Sequence, residues 1–319
     1  MISQHGLKAE EEQELRKLHD RLSTDRARRI LHVNSEVRRH LRDFFLKEGF
    51  YEIPPVIIGP VTDPLNHPVA GTGIEYYGYR YSLTQSMIFH KQIALLSCDK
   101  LFAFSPNVRL EPLERRGTGR HLAEFTQLDM EVKGASRNEV IAAAERMYCY
   151  VIGHVKATCR SDLEYFRRKL HVPSRPFMRF DFTGAKREYG EEFETVLSFR
   201  AADPFFIQDI SLNDREFYDR EDPERPGILL DMDMIYPEGY GEALSGGERE
   251  YELEKIMERI RKKKQNPDQF RYYLAVAGMG LPQSAGFGIG IERLVRFITG
   301  IPNIEEATPF PKAIGRFSI

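Results

Sequence analysis

Arg115, Arg116, Arg120 and His121 crowd the tip of one short segment, between two β-like runs spanning Val108 to Val132, with Gly117 and Gly119 supplying the turn. A tip of that composition suits an anion. On the return strand a period of two puts Phe125, Gln127, Asp129 and Glu131 on one face and Thr126, Leu128, Met130 and Val132 on the other. One face reads as a site and the other as core. Arg109 and Glu111 sit on the outgoing strand, across from the polar face. An aromatic beside carboxylates can hold a ring by stacking while guanidinium forks hold phosphates.

The elements that must carry these residues are legible in part. Apolar residues Ile30, Val33, Val37, Leu41, Phe44 and Phe45 recur at spacings of three and four and predict a helix from Asp25 to Lys47, ended by Gly49. A strand from Phe50 to Ile58 follows, and Pro54 and Pro55 confine it to a sheet edge or a strand start. Between Ser136 and Arg225 the character changes, with helical patterns over Asn138 to Val155 and Asp162 to Leu170 and a Pro-rich aromatic stretch from Pro173 to Phe182. Asp219 to Pro226 reads as a loop before a strand from Ile228 to Ile235. The cations Arg261 to Lys264 end a helix beginning near Glu250, where they meet the negative end of its dipole.

With 319 residues and a net charge of −2, the chain has ample length for a core and no global nucleic-acid footprint. Cys98, Cys149 and Cys159 are widely spaced, so neither a disulfide framework nor a zinc site is expected, and a reducing compartment is the default. The acidic start, Met1 to Asp20, lacks an apolar segment of signal or membrane length; a cytoplasmic location without membrane association is expected.

The run Arg109-Leu-Glu111, then Arg120-His121 and Glu124-Phe125 through Asp129-Met-Glu131, resembles motif 2 of class II aminoacyl-tRNA synthetases, within them the aspartyl and asparaginyl branch. Gly241-Glu242 through Ser245-Gly246-Gly247 to Arg249 resembles that branch's amino-acid-binding strand, and Gly286-Phe-Gly288-Ile-Gly290-Ile-Glu292-Arg293 resembles motif 3. The helix at 25–47 and the strand after it resemble motif 1, which implies a homodimer. The implied fold is α+β: a mainly antiparallel sheet flanked by helices, with a small helical insertion. Residues 1–24 are then an N-terminal extension and 25–319 the catalytic domain, with the insertion at about 136–226 and no anticodon-binding domain.

The resemblance also implies roles. ATP would be held by Arg109, Glu111, Arg120, His121, Phe125, Gln127, Glu242 and Arg293, with Arg109 at the α-phosphate and Arg293 at the γ-phosphate as the catalytic pair. Asp233 and Glu242 would bind Mg²⁺, with Asp231 a possible substitute for Asp233. Lys91, Asp129 and Arg249, with Gln85, Ser245 and Gly246, would hold the amino acid. A buried Lys–Arg pair without partners is costly, so a second acid on the ligand is expected, which points to aspartate or a close analogue.

Three departures gather around the amino acid's head group. Ile88 replaces the family's glutamine, the segments Pro64 to Pro68 and Ala70 to Gly73 stand where a Glu-Gly-Gly loop usually closes, and Ser284 replaces a common histidine. A ligand lying reversed would present its β-carboxylate to ATP, and ammonia would then give asparagine. The chain is similar to the free-standing archaeal asparagine synthetases, which implies an AMP-forming aspartate–ammonia ligase with ATP and Mg²⁺, with aspartate and ammonia as substrates, and tRNA binding is not expected. His67, His90 and His121 are available as bases, each more readily explained by structure or ATP. The alternative is activation of an α-carboxylate with transfer to a tRNA or protein acceptor. A non-catalytic sensor fits poorly, because Arg109 and Arg293 are both present.

Overall fold

A computed structural model describes residues 6–67 and 69–318. Eleven strands are seen among these: β1 Tyr51–Glu52, β2 Ile58–Gly59, β3 Gly73–Tyr76, β4 Tyr79–Leu83, β5 Lys100–Val108, β6 Glu124–Lys133, β7 Met178–Asp181, β8 Phe205–Gln208, β9 Asp231–Tyr236, β10 Gly241–Arg249 and β11 Ser284–Gly290. The helices are α1 Ala9–Leu22, α2 Asp25–Lys47, α3 Ile88–Ala94, α4 Arg137–Thr158, α5 Arg160–Tyr165, α6 Phe182–Tyr189, α7 Phe193–Arg200, α8 Leu253–Lys262, α9 Arg271–Met279 and α10 Ile291–Thr299. None is long and apolar enough to cross a membrane.

Eight strands form one sheet in the order β1-β5-β6-β11-β10-β9-β8-β7, antiparallel except at its two edges, where β1 lies parallel to β5 and β7 to β8. The expected α+β class, a mainly antiparallel sheet flanked by helices, is what the chain adopts. Helix α2 occupies the predicted span. Thr24 caps it by accepting from the Ala27 amide at 3.1 Å, and Gly49 follows its end at φ +81°, a conformation glycine adopts freely. Its buried stripe packs with α4 and α10 against one face of the sheet, where Phe102, Leu128, Met130, Met232 and Met234 complete the core. The other face is left to the site. Burying so much apolar surface on one side fixes strand register, since a slip of one residue would exchange the two faces.

Two expectations needed revision. The run Phe50 to Ile58 is not one strand: β1 and β2 are two residues each and belong to different sheets, because Pro54 and Pro55 donate no ladder hydrogen bond. Residues 136–226 are not a purely helical insertion either. Helix α4, started by the Ser136–Glu139 capping box, buries Val140, Ile141, Ala144, Met147 and Val151 in the central core, and β7 and β8 extend the main sheet.

Candidate functional site

Strand β6 ties both ends of the site together. Its pocket-facing side chains Phe125, Gln127 and Asp129 line one cavity of about 360 Å³ with Arg109, Glu111, Arg120, His121, Arg293 and Glu242 toward one end and Lys91, Ser245, Gly246 and Arg249 toward the other. Glu131 lies one step deeper, fully buried. Arg109 and Glu111 fall just past the end of β5 rather than on it.

Space for this row comes from β11. A Cβ on Gly286 would fall 2.1 Å from Glu131 Oε2, and one on Gly288 would fall 2.9 Å from Asp129 Oδ1 and 3.2 Å from Gln127 Nε2. The glycines stand across the strand register from Glu131 and Asp129 and leave room for them. They serve close packing of site residues. Gly246 does the same one strand over, where a Cβ would meet the Gly286 carbonyl oxygen at 2.2 Å.

At the deep end Lys91 Nζ lies 3.2 Å from Asp129 Oδ1 and 3.3 Å from Glu131 Oε2. Arg249 donates to Glu131 Oε1 at 3.2 Å, Asp219 Oδ1 at 2.8 Å and the Gly286 carbonyl at 2.9 Å. The expectation of a cation pair that needs an acid from the ligand is therefore corrected: Asp129, Glu131 and Asp219 already face Lys91 and Arg249. Asp129 Oδ2, in contrast, is buried with no hydrogen-bond partner. Ser284, at the position of the absent histidine, donates to Glu131 Oε1 at 2.9 Å. Ile88 is buried at the start of α3 and lines the cavity. Gln85 does not line it; the backbone carbonyl of Gln85 instead accepts from Arg109 Nε at 3.0 Å.

The outer end is rich in arginine. The Arg109 guanidinium lies 5.2 Å from the centre of the Phe125 ring. Arg293, at the start of α10, donates to Glu242 Oε1 at 3.1 Å. Burial, together with Arg293, Arg120 and Arg115, drives His121 down to about 3, so its imidazole is neutral; Thr118 lies 2.7 Å from its Nδ1. Asn107 donates to Gln127 Oε1 and so orients that amide. His67, in the loop that replaces Glu-Gly-Gly, sits 3.0 Å from Glu111 Oε2, and Leu65 and Asn66 of the same loop line the cavity.

The choice between Asp231 and Asp233 has a geometric basis. Asp231 accepts from the Ile210 amide at 3.1 Å and from Arg215 Nε at 3.0 Å, so both its oxygens are occupied. Asp233 pairs with Arg215 through Oδ2 at 2.5 Å, and its Oδ1 is buried with no hydrogen-bond partner. Burial, with Asp233 and Glu242 nearby, pushes Glu194 up to about 7. A buried oxygen without a partner and carboxylates that oppose one another's ionisation form a donor set that fits a hard divalent cation such as Mg²⁺.

Several cavity residues carried no sequence signal. Glu194 comes from α7, and Arg215, Glu216, Tyr218 and Asp219 come from the stretch before β9. Asp63 accepts from Tyr218 Oη and from the Leu65 amide, both at 3.0 Å. Burial raises Asp63, Glu216 and Asp219 above the ordinary carboxylate range. Only the motif-like spacing of the remaining residues made them visible.

Comparison with known proteins agrees with this geometry. The family described as "tRNA synthetases class II (D, K and N)" matches residues 10–314. An asparagine–tRNA ligase from Pelotomaculum thermopropionicum is 31% identical over 315 residues, covering 92% of this chain and 71% of that one. One from Thermococcus gammatolerans is 29% identical, covering 95% and 73%. The asparaginyl-tRNA synthetase of Pyrococcus horikoshii complexed with asparaginyl-adenylate superposes with a TM-score of 0.87 at 27% identity, over 99% of this chain and 75% of that one. Motifs, sheet and cavity all converge: this chain belongs to the class II tRNA synthetases of the D, K and N family.

Proposed function

We propose that this chain uses ATP to activate the carboxylate of aspartate, or of a close analogue, as an acyl-adenylate, and then passes the acyl group to an acceptor. One observation carries the reading: β6 spans a single cavity with Arg109, Arg120 and Arg293 at one end and Lys91, Asp129 and Arg249 at the other. A carboxylate oxygen attacks the α-phosphorus and pyrophosphate leaves. Arg109 and Arg293 supply fixed positive charge where negative charge gathers. Phe125 and Gln127 hold the base and Asp129 Oδ2 accepts from the amino group. Asp233 and Glu242, with Glu194 beside them, would hold Mg²⁺, which when bound supplies charge neutralisation at the phosphates.

The acceptor separates two readings. The matched relatives are asparagine–tRNA ligases, and this supports activation of an α-carboxylate with transfer to tRNA, or to a protein. The buried carboxylates support ammonia. Asp63, Asp129, Glu216 and Asp219 line the acyl end with Lys91, Arg215 and Arg249, and Asp63 and Glu216, raised above the ordinary carboxylate range by burial, offer groups to take a proton from ammonium. With ammonia attacking a β-aspartyl-adenylate, asparagine forms and AMP leaves. A homodimer through α2 and the adjoining strands accompanies either reading, and Tyr51, Ile57 and Ile58 are exposed there in the single chain.

The test uses aspartate carrying ¹⁸O in the β-carboxylate alone, with ATP and Mg²⁺, with and without ammonium. Asparagine together with ¹⁸O-labelled AMP is expected for the ammonia reading. AMP formation only when RNA or a protein acceptor is added assigns the chain to aminoacyl transfer. Absence of any aspartate-dependent AMP or pyrophosphate exchange overturns both.

A further inference from the structure

Behind the sheet, on the helical layer away from the cavity, three donors of different chemistry converge from three elements. His32 lies on α2, Cys159 at the junction of α4 and α5, and Asp162 in the first turn of α5. Donor atoms of all three lie within 4.8 Å of one another. His32 Nδ1 is 2.8 Å from Asp162 Oδ2, Cys159 is fully buried, and His32 is about half exposed.

We propose that His32, Cys159 and Asp162 form a binding site for a borderline-soft divalent ion of the zinc type, one that clips α2 to the α4–α5 junction. The His32–Asp162 ion pair and the Cys159 thiol, which otherwise packs in the core and lies 3.8 Å from Thr158 Oγ1, meet at one point and so offer nitrogen, oxygen and sulfur donors together. Bonds of roughly 2.0–2.3 Å to nitrogen, oxygen and sulfur place donors about 3.4–3.8 Å apart in a tetrahedron, so a rearrangement of roughly 1 Å among the three side chains suffices. Imidazole and thiolate select zinc-like ions over magnesium.

The surroundings suit a ligand set. Arg29 holds Asp162 Oδ1 at 3.1 Å, which fixes the carboxylate and leaves Oδ2 for the ion, and the Arg29 charge is itself met by Asp25 at 2.7 Å. Glu36, one turn along α2 from His32, is held through both oxygens by Arg39 and stays outside the set, so water would complete the fourth position.

The test strips the full chain with chelator and titrates it with Co²⁺ and Zn²⁺. A thiolate-to-cobalt charge-transfer band is expected in the wild type and absent in Cys159→Ser. His32 is exposed, so His32→Ala should fold; it is expected to weaken Zn²⁺ binding at least ten-fold and to abolish the rise in Tm that Zn²⁺ gives the wild type. The proposal is overturned if Co²⁺ produces no such band, if the band survives Cys159→Ser, or if His32→Ala binds Zn²⁺ as the wild type does.

Discussion

Arg215 Nη2 lies 2.5 Å from Asp233 Oδ2, so the carboxylate proposed to hold Mg²⁺ is already paired with a guanidinium. Arg215 also holds Asp231 at 3.0 Å and is therefore the shared counter-charge of two buried acids. Removing it as Arg215→Met leaves both uncompensated. The loss of one partner from a buried ion pair costs about 3–5 kcal/mol. A fall of that size in the urea unfolding free energy is expected at pH 7, shrinking as pH drops and the two acids take up protons. Asp233→Asn, by contrast, should unfold near the wild-type midpoint and raise the Mg²⁺ needed for aspartate-dependent pyrophosphate exchange.

Glu194 gives a second prediction, with its sign fixed by the direction of the shift. Burial first, then Asp233 and Glu242, raise its folded-state value to about 7, above the ordinary value near 4.5. Between those values the folded chain binds more proton than the unfolded one, so this group's contribution to stability falls as pH rises through that window. The wild type is expected to lose stability relative to Glu194→Gln from pH 5 to pH 8, measured as paired Tm values. Curves that stay parallel would refute the raised value of Glu194.

How much of this was legible beforehand depends on what set each position. The α2 span and the two faces of β6 follow from periodicity, because each lies within one continuous element, and Arg109, just past β5, with Phe125 and Arg293 follows from motif spacing. Glu194, Arg215 and Asp63 were not legible. They reach the cavity through loops and a helix whose placement depends on tertiary packing, and neither spacing nor composition marks them. The partners of Lys91 and Arg249 were hidden for a related reason: Glu131 was visible on the correct face of β6, but Asp219 meets Arg249 only through an isolated bridge between distant segments.

The glycines of β11 allow a sharper test of packing against phosphate binding. Gly286→Ala places a methyl against Glu131 Oε2 and the Met130 carbonyl, which cannot withdraw. A loss of about 1–3 kcal/mol or more in stability is expected, as for other overpacked interiors. Gly288→Ala instead meets the Asp129 and Gln127 side chains, which can turn aside at the cost of their aim. Near-native stability with a raised KM for both amino acid and ATP is expected. Equal loss of stability in both variants would show that the two glycines do the same work.

Arg109 and Phe125 can be separated kinetically although they touch. The guanidinium is fixed from two sides, by the Gln85 carbonyl at 3.0 Å and by the ring 5.2 Å away, and this leaves its remaining N–H groups directed by structure rather than by the ligand. Such a group stabilises charge without reorganising during the reaction, and its removal costs on the order of 10²–10³ in kcat in comparable sites. Arg109→Lys keeps the charge but loses the planar fork, so kcat for adenylate formation should fall by about that factor with little change in KM for ATP. Phe125→Leu keeps apolar bulk and removes the ring face. Its first effect should be on KM for ATP, by roughly ten-fold for a lost stacking contact of about 1–1.5 kcal/mol, with a smaller fall in kcat because Arg109 has lost one of its two supports. Pyrophosphate-exchange kinetics on both variants measure this directly. If Phe125→Leu lowers kcat as far as Arg109→Lys while leaving KM unchanged, the ring's role is to position Arg109 and not to hold the base.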